Sequence, residues 1–349
     1  MDKLLTVVIP AYNIEKYEEQ CLSSFVKPKA LPEIEVLVVN DGSSDRTVEI
    51  AEGYVKKYPE IFRVISKENG GHGSTINRGI QEARGTYFKV VDGDDWVDGT
   101  AFARLVRFLH TTKSDFVVNR YYWVHNQTGE KKLEFEEPFP GVSYGREYAF
   151  SEVSGKTFLK MHALTIKTEL LRKIPPIDEH CFYVDMEYVL FPVPYVRTVT
   201  FLEEIVYQYR IGLAGQSMDM KSMQKNEVNY NRVLNRLLAY YEEQQKKRIP
   251  AYCLTYLENS LGRMAATRFK IFLSFPYDRR IPGKMKAFDR NLKKCYPRVY
   301  AAVINKPVLL LRKSGYLIYP AAHLAFYWKE RIKNKYEYLE RTAAGLFSV

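Results

Sequence analysis

Cysteine is scarce in this sequence, and the few cysteines lie far apart. The chain of 349 residues has four of them, none in a Cys-x-x-Cys pair, at positions 21, 181, 253 and 295. Zinc ribbons and disulfide scaffolds need closely spaced or numerous cysteines, so neither class fits and a reducing compartment is expected.

Long apolar runs are also missing. The uncharged stretch at residues 314–328 contains Pro320 and is shorter than the roughly 20 apolar residues that cross a bilayer. The first residues do not combine a basic start with a long apolar centre, so no secretory signal is predicted. We therefore expect the catalytic part of the chain in the cytosol.

Charge is divided unevenly along the chain. Residues 1–210 carry 26 Lys and Arg against 31 Asp and Glu, and residues 211–349 carry 26 against 10. The two parts therefore have net charges of −5 and +16. A basic segment of this size attracts polyanions, which means nucleic acid or an anionic membrane surface.

Aliphatic and aromatic residues favour the membrane surface as the partner. Residues 306–329 combine four Lys and Arg with many leucines, tyrosines and other large apolar residues, a composition typical of interfacial anchors. We predict that residues 306–333 lie on an anionic membrane without spanning it, and we predict no nucleic-acid partner. Two amphipathic helices packed on the protein's own surface are the alternative.

Short apolar strands alternate with helical patterns through the first third of the chain. This alternation predicts an α/β fold with a mainly parallel sheet covered by helices on both faces, whose ligands bind beyond the carboxyl ends of the strands. The predicted strands are 4–9, 34–39, 62–66, 87–91 and 115–122, and the predicted helices are 15–25, 45–58, 74–83 and 100–110.

The rest of the chain is divided by its composition. Residues 125–160 are rich in Gly and Pro and predict hairpins and loops, whereas residues 221–300 have a helical pattern broken by prolines. The predicted units are a catalytic domain at 1–220, its donor-binding half at about 1–122, its acceptor-side half at 123–220, and a helical C-terminal region at 221–349.

Three carboxylates follow the predicted strand 87–91 directly. Asp92, Asp94 and Asp95 lie within four positions, and like charges at such spacing repel one another. A divalent cation bridged to an anionic ligand relieves that repulsion, and Mg²⁺ or Mn²⁺ favours carboxylate oxygens together with phosphate. The alternative is a solvated acidic turn that ends the strand.

Two more polar loops follow predicted strands. Residues 41–45, Asp-Gly-Ser-Ser-Asp, either offer a carboxylate to a base or ribose or only cap the next helix. Residues 69–73, Asn-Gly-Gly-His-Gly, either allow close backbone approach to a phosphate or form only a tight turn. Gly79 is expected to permit close packing of a helix.

These motifs together resemble glycosyltransferase family 2, the inverting nucleotide-sugar transferases with a GT-A fold. The resemblance is strong over about residues 4–120, and a looser match covers residues 182–187 and 207–210. No single motif is specific to this family, but the order and spacing of all the motifs together are specific to it. The motifs are 10–13 (Pro-Ala-Tyr-Asn), 41–45, 69–71, 77–79 (Asn-Arg-Gly), Gly85 and 92–95 (Asp-Gly-Asp-Asp).

The resemblance implies a donor site and a metal site at the carboxyl edge of the sheet. Residues 10–12 would line the base pocket, and Asp41 would bind the uracil or its ribose. Asp94 would be a direct ligand of Mn²⁺ or Mg²⁺, with Asp92 nearer the ribose and a metal-bound water. The implied donor-binding residues are Pro10, Ala11, Tyr12, Asn13, Asp41, Asn69, Gly70, Gly71, Asn77, Asp92, Gly93 and Arg210.

By the same resemblance Asp185 matches the catalytic base. A sugar hydroxyl is a poor nucleophile at neutral pH, so a carboxylate must take its proton as it attacks the anomeric carbon opposite the diphosphate. One such displacement inverts the configuration. Glu187 is the competitor for this role, and the structural alternative is that Asp185 only caps the helix beginning near Met186.

Two positions depart from the family pattern. The residue before Asn77 is Ile76, where the family often has Arg, so another cation would have to supply that contact. His72 is unusual in the glycine loop, and a surface turn is favoured over contact with the donor. Residues 212–217 are either a lid that closes on the donor or an ordinary flexible connection.

The leading hypothesis is a metal-dependent inverting glycosyltransferase. It would move a sugar from a UDP-sugar to a lipid-linked or polymeric cell-envelope glycan at the inner face of the cell membrane. A sugar-nucleotide nucleotidyltransferase is the first alternative, but residues 11–15 lack its glycine-rich, basic signature. A non-enzymatic polyanion-binding protein that uses the basic tail is the second.

Overall fold

The chain divides into two compact units. The structure, a computed structural model, describes residues 3–27, 29–134, 139, 141–213, 215–217 and 219–330. Unit 1 comprises Met1–His125 and Glu130–Ile211, and unit 2 comprises Asn126–Gly129 and Gly212–Val349.

Unit 1 is built on one mixed sheet, which has ten strands in the described part of the chain. The strands are β1 (Leu5–Ala11), β2 (Ile34–Asn40), β3 (Phe62–Ser66), β4 (Tyr87–Val90), β5 (Trp96–Val97), β6 (Phe116–His125), β7 (Lys131–Leu133), β8 (Glu147–Ala149), β9 (Leu164–Lys167) and β10 (Thr198–Ile211). Their order is β3-β2-β1-β4-β9-β6-β10-β5, with β7 beside β6 and β8 beside β10.

The longest ladders of this sheet are parallel, as the sequence predicts. β3, β2, β1 and β4 run parallel to one another, and so do β6 and β10. The antiparallel pairs involve the short strands β5, β7, β8 and β9. The predicted α/β class is therefore confirmed, with short antiparallel additions to a parallel centre.

Helices follow the strands of unit 1 and make up most of unit 2. In unit 1 they are α1 (Glu15–Ser24), α2 (Thr47–Lys57), α3 (His72–Glu82), α4 (Gly99–Leu109), α5 (Phe150–Val153), α6 (Thr168–Leu171) and α7 (Asp185–Leu190). In unit 2 they are α8 (Met220–Lys225), α9 (Glu227–Lys246), α10 (Ala251–Ser274), α11 (Ile281–Cys295), α12 (Pro297–Ala301) and α13 (Lys306–Lys313), followed by helical residues 319–330.

The central strands are buried on both faces of the sheet. Val7 and Val8 of β1 point to opposite faces because successive side chains of a strand alternate, and both are fully buried. The same holds for Val38 and Val39 of β2. This explains why these strands read as continuous apolar runs, without the alternation typical of a sheet that faces water.

Close approach of α3 to β1 depends on a glycine. A Cβ atom at Gly79 would lie 2.6 Å from Cγ2 of Val8, closer than any side chain permits. The expected packing role of Gly79 is therefore confirmed, and it lets α3 lie directly against Val8 of β1.

Unit 2 has the predicted helical pattern with prolines at its breaks. Pro250 precedes α10, Pro276 lies in the loop after it, and Pro282 is in the first turn of α11. Val233 and Leu237 of α9 and Leu261 of α10 are buried in its core. Within the described residues, every helix is too short or too polar to cross a membrane.

Candidate active site

The carboxyl ends of three parallel strands meet at one edge of the sheet. The backbone N–H of Asp41 donates to the carbonyl oxygen of Ala11 at 2.8 Å, and that of Val91 donates to Val8 at 3.0 Å. The loops that follow β1, β2 and β4 therefore start side by side. The polar residues that the sequence places after these strands come together at this edge.

Asp41 holds the glycine loop in place. Its carboxylate accepts hydrogen bonds from the backbone N–H groups of Gly70 at 2.9 Å and Gly71 at 2.8 Å, and from Lys67 Nζ at 2.8 Å. The side chain of Asn69 donates to the Asp41 carbonyl oxygen at 2.9 Å. The resemblance implied direct contact of Asp41 with the base or ribose, whereas here both carboxylate oxygens already shape the loop.

The loops after β1 and β2 are tied to each other through Asn13. Its backbone has a positive φ of 52°, its side-chain oxygen accepts from Ser44 N–H at 2.9 Å, and its N–H donates to Ser43 Oγ at 3.0 Å. Tyr12, next to it, is 54% exposed. Asn13 therefore fixes the loop, and the ring of Tyr12 is open to a ligand, while Pro10 and Ala11 are still part of β1.

Residues 177–181 pack against the first turns of α3. Asn77 pairs with the backbone of Ile177 in both directions, donating from Nδ2 at 2.9 Å and accepting at Oδ1 at 2.8 Å. A Cβ atom at Gly73 would lie 2.0 Å from the carbonyl oxygen of Asp178. Asn77, which the resemblance implied as a donor contact, thus clamps the segment that leads to Asp185.

Asp92 is surrounded by aromatic and imidazole groups. His72 Nε2 lies 2.8 Å from its Oδ1, and the Tyr207 hydroxyl lies 3.4 Å from its Oδ2. Burial alone would raise the pKa of Asp92, but the hydrogen bond and charge of His72 outweigh burial and lower it. Asp92 is therefore ionised. The favoured interpretation of His72 as a surface turn residue is wrong, because its side chain faces the acidic cluster.

For Asp94, the nearby charges of Arg210 and His72 compensate only in part. Burial and the charge of Asp92 raise its pKa to about 6. Among the described residues, no other residue donates a hydrogen bond to its carboxylate. Gly93, between the two, packs against the end of β1, since a Cβ there would lie 3.0 Å from the Pro10 carbonyl oxygen.

Asp95 is an internal structural carboxylate. It is 1% exposed, and it accepts hydrogen bonds from the Tyr207 hydroxyl and from the Arg210 backbone N–H, both at 2.6 Å. Burial, followed by the charges of Asp94 and Asp92, raises its pKa well above the usual range. Asp95 therefore ties β10 to the acidic loop.

The guanidinium of Arg210 lies between two aromatic rings, 4.7 Å from the centre of Tyr17 and 4.6 Å from that of Trp96. Its Nε donates to the backbone carbonyl of Asp94 at 2.6 Å. Arg210 is 7% exposed. The structure therefore brings this predicted donor contact beside the acidic loop, where it fixes the backbone of Asp94.

His162 is a site residue that sequence reasoning missed. Its Nε2 lies 3.9 Å from Asp92 Oδ2, and its ring packs 4.5 Å from that of Tyr209 and 4.9 Å from that of Tyr207. Burial lowers the pKa of His162 to about 4, so the imidazole is neutral. Ligand atoms of Asp92, Asp95 and His162 lie within 4.8 Å of one another and form a second candidate cation set.

Lys89 holds the backbone of His162 in place through a hydrogen bond. This lysine is fully buried, and its Nζ donates to the carbonyl oxygens of His162 at 2.9 Å and Leu164 at 3.1 Å. Burial lowers the pKa of Lys89 to about 7. An isolated lysine inside an apolar strand was the one signal in the sequence that could have indicated this support.

Asp185 is the first residue of α7 and lies half-buried. Burial raises its pKa, while the nearby charge of His72 opposes that rise and the charge of Asp92 adds to it. The residue before α7 is Val184, so Asp185 is not the helix cap. Its carboxylate therefore interacts electrostatically with His72 and Asp92.

Glu187 takes a different position. It is fully buried and accepts a hydrogen bond from the backbone N–H of Asp178 at 2.8 Å. This contact holds the same segment that Asn77 clamps from the other side. Of the two carboxylates, Asp185 is therefore the one that the structure leaves open to a ligand.

The fold and the acidic cluster agree with the nucleotide-sugar transferases that the sequence motifs resemble. Residues 6–174 match the sequence profile named glycosyl transferase family 2. Over these residues, which are just under half of its length, the chain is related to glycosyltransferase family 2.

Two bacterial glycosyltransferases are similar to parts of this chain. The chain is 43% identical over 122 residues to the uncharacterized glycosyltransferase EpsJ of Bacillus subtilis, which is 35% of either chain. It is 28% identical over 215 residues to the putative glycosyltransferase EpsH of the same strain, covering 60% of this chain and 61% of that protein. The matches thus span between about a third and three fifths of these relatives' length.

The fold has a solved counterpart over nearly its whole length. TarS residues 1–349 of S. aureus, crystallised in complex with UDP-GlcNAc, superpose with a TM-score of 0.67 at 20% identity. The superposition covers 93% of this chain and 92% of that one. The predicted GT-A fold with a C-terminal helical region is therefore confirmed.

Proposed function

We propose that this family 2 enzyme transfers a sugar, with inversion, from a UDP-sugar to a hydroxyl group of a polymeric or lipid-linked cell-envelope glycan. One observation carries the proposal. The carboxylates of Asp92 and Asp94 lie near the half-buried Asp185, whose pKa responds to the charges of Asp92 and His72. A donor held by the first group would present its anomeric carbon near the second.

The acidic cluster fits a divalent cation. Burial and the charge of Asp92 raise the pKa of Asp94 to about 6, and the charges of Arg210 and His72 offset this rise only in part. Asp94 and Asp92 would hold Mn²⁺ or Mg²⁺, which when bound supplies positive charge to the donor's diphosphate. Asp95 fits this role less well, because both of its oxygens accept hydrogen bonds within the protein.

A uridine donor suits the loops around the cluster. The exposed ring of Tyr12 offers a stacking face to a base. The N–H groups of Gly70 and Gly71 already donate to Asp41, so the charge of a diphosphate would be met by a cation held at Asp92 and Asp94. The complex of TarS with UDP-GlcNAc supports the choice of a UDP-sugar.

Asp185 would act as the general base. Its carboxylate takes the proton of the acceptor hydroxyl while the hydroxyl oxygen forms a bond to the anomeric carbon. The bond between that carbon and the diphosphate oxygen breaks, and its electron pair leaves with the nucleoside diphosphate. Burial raises the pKa of Asp185, which makes it a stronger base than an exposed aspartate.

The relatives and the charge of the chain support the choice of acceptor and location. One relative, 33% identical over 141 residues, is a poly(ribitol-phosphate) beta-glucosyltransferase of Bacillus spizizenii, and the match covers 40% of this chain and 22% of that protein. A polymer or lipid-linked glycan at the inner face of the cell membrane is the acceptor that we propose here.

The test is turnover of UDP-sugars with Mn²⁺, followed as UDP release in the presence of envelope glycan acceptors. The variant Asp185→Asn is expected to bind donor with a normal thermal shift but to lose about 10²–10⁴-fold in transfer rate. Glu169→Gln, an exposed carboxylate of α6, is the matched control and should leave transfer unchanged. Full activity of Asp185→Asn would refute the assignment of the base.

A further inference from the structure

Large apolar side chains are exposed along the last described part of unit 2. We call six of them the apolar face: Leu309, Leu310, Leu317, Leu324, Tyr327 and Trp328. They range from 37% exposed at Leu309 to 83% at Leu317. Six large exposed apolar side chains within about 20 residues exceed the single exposed hydrophobic residues that are normal on a protein surface.

The first part of the apolar face is fixed by the opposite side of α13. Val308 and Leu311 point inward and are buried. Arg312, one residue further, pairs with Asp289 at 2.8 Å and lies 3.7 Å from the centre of the Tyr300 ring. These contacts fix the rotation of α13 about its own axis. Leu309 and Leu310 therefore point away from the core of unit 2.

The second part of the apolar face is fixed in the same way over helical residues 319–330. Tyr319 is buried and stacks on Tyr277 with 5.7 Å between ring centres, and His323 Nε2 lies 2.9 Å from the Phe275 carbonyl oxygen. Leu324, Tyr327 and Trp328 follow the spacing i, i+3, i+4, which places them together on another side of the helix.

The charge around this face is mainly positive, with Glu330 as an acidic neighbour of Lys329. Residues 281–329 contain ten Lys and Arg and one acidic residue, Asp289, which is buried in its pair with Arg312. Lys306 and Lys313 lie one turn before and one turn after Leu309 and Leu310 on α13. Long cationic side chains flanking leucines in this way can reach lipid phosphates while the leucines enter the acyl boundary.

We propose that the apolar face docks on an anionic lipid surface, with its leucines and aromatic rings inserted at the level of the headgroups. Nucleic acid would satisfy the cations but offers no partner for exposed aliphatic side chains. A second copy of the chain would bring like charges together. An anionic leaflet satisfies both features, and this docking is a property of unit 2 that does not depend on the proposed reaction.

Flotation with lipid vesicles tests the proposal. The full chain is expected to float with vesicles of phosphatidylcholine and phosphatidylglycerol. With vesicles of phosphatidylcholine alone, it should remain in the bottom fraction of the gradient. Leu317→Glu is expected to reduce binding to the anionic vesicles by about tenfold or more, since a charge cannot enter the acyl boundary. Val228→Glu, which introduces the same charge at a residue of α9 that is 78% exposed, should bind like the wild type.

Three results would overturn the proposal. In the first, the wild type does not float with anionic vesicles. In the second, both variants lose binding equally. In the third, the chain forms a dimer that Leu317→Glu dissociates, and no vesicle binding is seen. UDP release from UDP-sugars, measured on the same preparations without vesicles, keeps the two proposals apart. Normal UDP release with failed flotation would reject only the docking, and flotation without UDP release would reject only the proposed donor.

Discussion

His72 Nε2 lies 2.8 Å from Oδ1 of Asp92, so the glycine loop supplies a cationic partner to the first carboxylate of the acidic cluster. Burial opposes protonation of the ring, but the hydrogen bond and charge of Asp92 outweigh burial and raise the pKa of His72. The histidine therefore belongs to the acidic cluster, where it holds Oδ1 of Asp92 while Oδ2 lies 3.4 Å from the Tyr207 hydroxyl.

Replacement of His72 by alanine should impair this arrangement. Without the ring, Asp92 loses its partner and repels Asp94 more strongly, so we expect kcat/KM for the UDP-sugar to fall about 10–100-fold, as for other residues that orient a metal ligand. His72→Gln keeps a donor at this position and should recover part of the loss. Steady-state UDP release at saturating Mn²⁺ measures the effect, and an unchanged rate in His72→Ala would contradict it.

The packing of residues 177–181 on α3 makes Gly73 a sensitive position. A Cβ atom there would lie 2.0 Å from the Asp178 carbonyl oxygen, so Gly73→Ala must displace the segment that leads to Asp185. We expect transfer to fall by at least about tenfold, because small displacements of a catalytic group are costly. Circular dichroism should show that the variant is still folded.

Gly53→Ala is the control for Gly73→Ala. Gly53 lies within α2 with no atom within 4 Å of its added Cβ, so alanine should stabilise the helix by about 0.5–1 kcal/mol and leave transfer unchanged. If both variants lost activity equally, a general sensitivity to glycine replacement would explain the result and the local clash would not.

Much of the sheet edge could be predicted from the sequence because it depends on short-range pattern. The strand-loop-helix alternation and the motif order place Asp41, Asp92 and the glycine loop together, since the carboxyl ends of parallel strands meet. His162 and Tyr207 reach Asp92 only through pairing of β9 and β10 with distant strands, a long-range relationship that no local pattern encodes. The roles of Asn77 and Asp41 as clamps depend on backbone contacts that their residue types alone do not reveal.

His162 offers a test of this long-range contribution. In His162→Phe the ring contacts with Tyr207 and Tyr209 can persist, but the nitrogen 3.9 Å from Asp92 is lost. We expect the melting temperature to change little and the concentration of Mn²⁺ needed for half-maximal transfer to rise about tenfold or more. His162→Ala should also lower the melting temperature, which separates packing from the contribution of the nitrogen. An unchanged Mn²⁺ dependence in both variants would remove His162 from the site.

Glu18 on α1 makes the stability of the protein depend on pH. Both of its carboxylate oxygens are buried, and neither has a hydrogen-bond partner in the described part of the chain. Burial, then the charges of Asp45 and Glu19, raise its pKa from 4.5 to about 8. Between these pH values the folded chain retains a proton that the unfolded chain has released, so stability falls as the pH rises through this window.

The variant Glu18→Gln should remove this pH dependence, because glutamine has a similar shape and does not titrate. At pH 8 we expect the variant to be more stable than the wild type by on the order of 2 kcal/mol, with the difference shrinking as the pH falls toward 4.5. Urea denaturation at a series of pH values measures the free energy of unfolding. Glu52→Gln, an exposed carboxylate on α2, should follow the wild type at every pH, and parallel curves for wild type and Glu18→Gln would show that Glu18 is ionised in the folded protein.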